Sequence, residues 1–214
     1  MLRQGEISSL MSPKFPPRFK ANAEVLSLRL RQQLGLRATA ACPAKLATGA
    51  HQILLAAAGA LNGDIVDALI DEFPDHLKVR QHLAWIANDT TEFSAIVAIV
   101  RGCKMILYNG NNSPARQESD IMHELAHILC EHRGDCLQLN ADISLRVHNA
   151  CHEQEAKWLG AALQIPDQGI FDHVRAGRTS EEIAEIYGAS LQMVRFRRNT
   201  LAIDRRISYI KKAA

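Results

Sequence analysis

The chain is 214 residues long, 47% hydrophobic and 22% charged, enough apolar material for one sizeable core with small appendages. Few aromatics and many alanines and leucines favour helices over sheet. The longest apolar stretch, Ile53 to Leu61, falls far short of the roughly twenty residues that a bilayer span needs. Five cysteines with no Cys-x-x-Cys pair fit reduced cytosolic thiols better than a disulfide framework. The N-terminus, with Arg3 and Glu6 and no apolar segment, does not read as a signal peptide. A soluble, cytoplasmic protein with no membrane contact is expected.

The net charge of +2 hides an uneven distribution. Residues 1–37 hold seven Lys/Arg against two acids, and residues 195–214 hold seven against one. That leaves 11 basic and 20 acidic residues between them. Basic ends around an acidic body suit an acidic partner or nucleic acid, and equally suit solvated tails.

Residues 1–20, with Pro13, Pro16 and Pro17, read as a flexible arm. Ala21 to Leu34 reads as an amphipathic helix stopped by Gly35. Pro43 opens a second helix, expected to run to about Ala60. Asn62-Gly63-Asp64 is a turn before a short helix from Ile65 to Phe73, which Pro74 ends. Residues 77–90 read as ambiguous, with helix as one option through Trp85. Phe93 to Val100 and Cys103 to Tyr108 are β-rich runs around Arg101-Gly102, a hairpin.

Ser113 as a cap, with Pro114 behind it, starts the next helix, and Gly134 is its expected end about twenty residues on. Inside it lies Asp120-Ile121-Met122-His123-Glu124-Leu125-Ala126-His127-Ile128-Leu129, a His-Glu-x-x-His motif in an apolar run. On a helix His123 and His127 sit about 40° apart, one turn from each other. Two imidazoles so placed can hold one metal ion, usually zinc. Glu124 lies about 100° round from His123, placed to act as a general base without being a ligand. The apolar neighbours bury this helix, and buried histidines need partners or a metal.

A catalytic zinc needs a third protein ligand and an open fourth position. A helix from His152 offers Glu153 and Glu155, about 200° apart, so only one can face the histidine pair and the other is a solvated charge. Small residues at Ala156, Gly160 and Ala161 allow close approach. His132 is the other candidate, but a metzincin wants a glycine in that turn and one residue more. Cys130 and Glu131 stand there instead. Cys130, His132, Cys136, Cys151 and His152 cluster without ribbon or finger spacing, which argues against a separate structural zinc. His148, His173, Tyr108 and Tyr187 are candidate donors to an oxyanion.

Pro166 ends the Glu153 helix. Thr179 and Glu182 then make a capping box. Ala184, Gly188 and Val194 take the small, turn and apolar places of a helix-turn-helix. Arg195, Arg197 and Arg198 would lie on its second helix, within reach of phosphates or bases.

The order Asn109…Ser113-Pro114-Ala115-Arg116…His123-Glu124-Leu125-Ala126-His127…Glu153-x-Glu155-Ala156…Leu163-x-Ile165-Pro166 resembles the ImmA/IrrE family of bacterial metallopeptidases. The likeness spans about residues 21 to 206 and is strongest after Thr91. It implies a mostly helical α+β fold, with a zincin-like metallopeptidase core, a small antiparallel sheet or hairpin, and a C-terminal helix-turn-helix-like helical pair. The expected organisation is a flexible arm at 1–20, a core at 21–176 with a variable helical region at 38–90, and C-terminal helices with a basic tail at 177–214.

The resemblance implies one zinc ion on His123, His127 and Glu153, with Glu155 as second choice and Glu124 as the catalytic residue. It implies a sheet edge above the metal, here Ser94 to Ile99, with Ser94, Ala95, Ile96 and Tyr108 touching an extended peptide. The family often carries Asn or Asp after the alanine of its Glu-x-x-Ala segment, where Lys157 stands here. A cation is unfavourable beside a metal, so Lys157 must point away or the surroundings of the ion are altered. The implied activity is endoproteolysis of a regulatory protein, typically a helix-turn-helix repressor, under stress or on induction of a mobile element. The alternative is a non-catalytic DNA- or repressor-binding regulator on the same fold.

Overall fold

The computed structural model describes residues 15–57, 94–100, 103–132, 136–138, 143–146 and 149–213. The turn expected at 62–64, the helix at 65–73, the segment 77–90, Gly134 and His148 lie outside the described residues.

Helix α1 spans Phe19–Gln33. Ahead of it Phe15 stacks on Phe19 and meets Trp158 edge-on, so packing starts within the stretch read as a flexible arm. Helix α2 (Ala44–Ala50) is shorter than expected. Instead of continuing to Ala60, the chain turns at His51 and Gln52, with φ of 55° at Gln52, and Leu54–Ala57 form strand β1. The apolar run pairs in parallel with strand β3, from Leu54 opposite Met105 to Ala57 opposite Tyr108. Periodicity does not separate buried strand from buried helix in so short a run.

Strands β2 (Ala95–Val100) and β3 (Cys103–Tyr108) form the expected antiparallel hairpin. With β4 (Cys136–Gln138) and β5 (Ile143–Arg146) they build a five-stranded sheet in the order β1-β3-β2-β5-β4. The sheet is therefore mixed, where a small antiparallel one was expected. Strand β2 is also internal: β3 covers one side, and β5 pairs with Ala98–Val100 on the other. No described strand pairs with the second side of residues 94–97, so the edge expected over Ser94 to Ile99 is shorter by two residues.

Helix α3 (Pro114–Leu129) lies against β2 and β3 and against helix α4 (Ala150–Gln164), which α1 covers. Ile106, Met122, Leu125, Ala126, Ala156 and Leu159 fill the space between these layers. At Gly160 a Cβ would come within 3.0–3.1 Å of the Met122 carbonyl oxygen and of His123 N and Cα. The absent side chain lets α4 touch the α3 backbone right beside His123.

Helices α5 (Asp167–Arg175), α6 (Ser180–Tyr187), α7 (Leu191–Thr200) and α8 (Ile203–Ala213) enclose a second cluster around Ile165, Ile170, Ile183, Val194 and Ile203. The Thr179–Glu182 capping box is formed, and Gly188 turns the chain at φ 60° between α6 and α7, the helix-turn-helix-like pair. Among the described residues no helix is long and apolar enough to cross a membrane.

Two buried arginines tie these clusters together. Carbonyls at a helix C-terminus lack partners within the helix. Arg31 donates to the Leu163 and Gln164 carbonyls at 2.7 and 3.0 Å. Arg197 donates to the Ile165 carbonyl at 2.8 Å and pairs with Glu24 at 2.6 Å. Arg197, grouped above with Arg195 and Arg198 as a nucleic-acid contact, is 0% exposed and presents nothing to a phosphate. Arg198 is held by Ser180 and Asp204, whereas Arg195 is exposed. Arg197→Ala is expected to cost about 3–5 kcal/mol by stranding Glu24 in a largely buried site. Arg195→Ala is expected to stay within about 0.5 kcal/mol of the parent. Denaturant unfolding curves of the two variants check the contrast.

Candidate metal centre

Pro114 stands in the first turn of α3, with Ser113 at the cap position. The Ser113 side chain makes no capping bond, contrary to expectation. Gln117 anchors the preceding loop instead, donating to the Gly110 and Asn112 carbonyls. Two turns further on, the helix presents His123 and His127 with their Nε2 atoms 3.2 Å apart. Helix α4 is capped by Asn149, whose side chain accepts from the Cys151 and His152 amides. Glu153 then falls in the first turn, where the helix dipole favours a carboxylate.

The two helices bring these groups together. Glu153 Oε2 lies 3.0 Å from His123 Nε2, and its Oε1 lies 3.3 Å from His127 Nε2. Glu124 is 6% exposed, and its carboxylate lies within 4.8 Å of ligand nitrogens of both histidines. His127 is closed off from solvent, while the side chains of His123 and Glu153 are 30% and 23% exposed, so the group opens on one side.

These residues fit a metal ion. Ligands bound tetrahedrally at about 2.0–2.1 Å stand about 3.3 Å from one another. The two Nε2 atoms stand 3.2 Å apart, and each has one oxygen of the Glu153 carboxylate at a similar distance, Oε2 at 3.0 Å from His123 and Oε1 at 3.3 Å from His127. Two imidazole nitrogens and one carboxylate are also the donor set of a class of catalytic zinc sites.

Glu155 and His132 occupy places the sequence analysis did not assign. Glu155 is no solvated charge: its Oε2 lies 2.8 Å from His132 Nε2. His132 is not on the ligand side of the pair. Its Nδ1 lies 2.9 Å from His127 Nδ1, across the ring from His123 and Glu153. The reason is the helix end. Helix α3 stops at Leu129, before the expected Gly134, with Glu131 in the left-handed region at φ 51°. The His132 amide donates to the His127 carbonyl and the Glu131 amide to that of Ile128, folding the chain back in a Schellman turn. Such turns usually carry glycine, so Glu131 left no readable signal. Burial, reinforced by the Glu155 charge, pushes the Cys130 thiol up to about 12.

A cleft of about 420 Å³ adjoins the group, lined among others by Ser94, Ala95, Asp120, His123, Glu124 and Lys157. Of the residues expected to touch a peptide, Ser94 and Ala95 line it and Ile96 and Tyr108 do not. Arg116 pairs with Asp120 at 2.9 Å and donates to Ser94 Oγ at 3.0 Å. Burial raises the Asp120 pKa, and the Arg116 charge offsets part of that rise. The Lys157 ammonium stands 5.5 Å from the Phe196 ring centroid, directed toward α7. Two of the candidate oxyanion donors lie elsewhere. Tyr187 donates to the Ala38 carbonyl at 2.7 Å, and His173 Nε2 lies 3.0 Å from that of Thr39. Their rings pack edge to face in the C-terminal part of the fold.

Fold and donor set together define a mostly helical α+β protein of zincin-like architecture with a candidate metal centre between two helices. The profile of the Peptidase M78 family, described as the IrrE N-terminal-like domain, matches residues 87–199, and the chain belongs to that family. The match contains both helices of the centre and the hairpin, and it supports a peptidase-type or related function. No curated protein matches the chain.

Proposed function

We propose that this protein is a zinc-dependent endopeptidase that cleaves a regulatory protein, a helix-turn-helix repressor, in stress response or mobile-element control. The observation that carries the reading is the convergence of His123 Nε2, His127 Nε2 and the two Glu153 oxygens, with Glu124 beside them and one side open to a cleft. Family membership supports the peptidase chemistry. The choice of a repressor as substrate rests on the resemblance described above. Free thiols at Cys42, Cys130 and Cys151 suit a reducing, cytoplasmic setting.

His123, His127 and Glu153 would hold the ion. When bound, zinc supplies Lewis acidity at the scissile carbonyl and lowers the pKa of a water toward neutrality. Glu124 takes the proton from the attacking water and delivers it to the leaving amine. The open side of residues 94–97 offers backbone groups to an extended substrate segment.

The test uses the purified full chain with one equivalent of zinc and a helix-turn-helix repressor from the same cell as substrate. Cleavage at a defined bond is expected, stopped by a chelator and restored by added zinc. An intact repressor at full zinc occupancy would reject the substrate. Failure to take up any metal would reject the enzyme.

A further inference from the structure

The structure assigns His132 and Glu155 as a positioning pair that fixes the proton on His127 and so aims its Nε2 lone pair at the ion. This rests on the metal-centre reading above and adds two residues to it.

Hydrogen positions along the row follow one from the next. A hydrogen on His132 Nε2 donates to Glu155 Oε2, 2.8 Å away. In a neutral His132 ring with that hydrogen, the lone pair is on Nδ1. That atom lies 2.9 Å from His127 Nδ1, which must therefore donate. A neutral His127 with its hydrogen on Nδ1 has its lone pair on Nε2, the atom facing His123 and Glu153 at 3.2 and 3.3 Å. In this order the last lone pair of the row is on the atom where a ligand is required. The reverse order would put the hydrogen on His127 Nε2 and block coordination.

The surroundings hold this row in one arrangement. The turn through Glu131, in a backbone conformation that L residues rarely adopt, brings His132 back over His127. The His152 ring stacks on His132 at 4.3 Å with an interplanar angle of 8°. The His132 side chain is 4% exposed.

A competing use of the same residues exists. Cys130, His132 and Glu155 have ligand atoms within 4.8 Å of one another, a geometry open to a second ion. An ion on His132 Nε2 would leave the hydrogen of a neutral ring on Nδ1. With the first ion on His127 Nε2, two N–H groups would then face each other across 2.9 Å. The two sites oppose each other, and one ion per chain is expected.

The experiment is a competitive zinc titration of the full chain against a chromophoric chelator at fixed pH, with thermal unfolding of the metal-free forms as the folding control. The wild type is expected to bind one ion. His132→Leu is expected to bind about 10–100-fold more weakly, the usual cost of losing a group that orients a ligating histidine. His132→Asn places a side-chain oxygen where His132 Nδ1 stands, able to accept from His127 Nδ1, and is expected to recover most of the affinity. If His132→Leu does not fold, Glu155→Ala, which removes the acceptor facing His132 Nε2, carries the same expected loss. The cobalt(II) form is expected to lack a thiolate-to-metal charge-transfer band. Wild-type affinity in both His132→Leu and Glu155→Ala would overturn the pair, as would a folded His132→Asn that binds no better than His132→Leu. A second ion with a thiolate band would overturn it in favour of the competing site. A wild type that binds no metal would reject the metal centre itself, a separate and earlier failure.

Discussion

Replacing Glu124 by glutamine is expected to slow peptide-bond hydrolysis about 10²–10⁴-fold while leaving the metal content unchanged. The amide has nearly the shape of the carboxylate, so packing around this 6% exposed residue is kept. It cannot accept the proton of the attacking water. Glu124 stands beside the histidine pair, while Glu153 makes the close approach to both Nε2 atoms. Loss of turnover without loss of the ion therefore separates base from ligand. The measurement is turnover of the repressor substrate alongside elemental analysis of the same sample. If the variant still delivers full biological output, the protein works by binding, and the non-catalytic regulator replaces the enzyme.

Glu153→Ala is expected to abolish stoichiometric metal uptake, an effect larger than the roughly 100-fold upper range for groups that merely orient a ligand. Glu155→Ala is expected to weaken binding by about 10–100-fold and leave one ion per chain at saturation. The two carboxylates are two residues apart on one helix and face different histidines. Glu153 meets His123 and His127, and Glu155 meets His132. Equilibrium dialysis of both variants against zinc decides the assignment. Retained stoichiometry in Glu153→Ala with complete loss in Glu155→Ala would reverse it.

Much of the local architecture was legible in the amino-acid order. Pro114, the Thr179–Glu182 capping box, Gly188 and the Arg101-Gly102 hairpin signal mark boundaries within a few residues of themselves. The spacing of His123 and His127 places both rings on one face of α3 through helix geometry alone. These features depend on contacts within a turn or two of the chain, so residue types and spacing suffice.

Other features depend on partners far away along the chain. Leu54–Ala57 became a strand because β3, about fifty residues on, offers a ladder. Arg197 is buried because Glu24 and the Ile165 carbonyl meet it from two other elements. A 200° separation shows that Glu153 and Glu155 diverge, but not which one the neighbouring helix meets. Gly160 settles that by fixing how α4 lies on the backbone at His123. His132 turns back on His127 only because Glu131 accepts a left-handed backbone that its residue type does not advertise. The amino-acid sequence alone determined which way each side chain points from its own helix axis. Where that direction leads was decided by the packing of one axis against another, which only the tertiary structure contains.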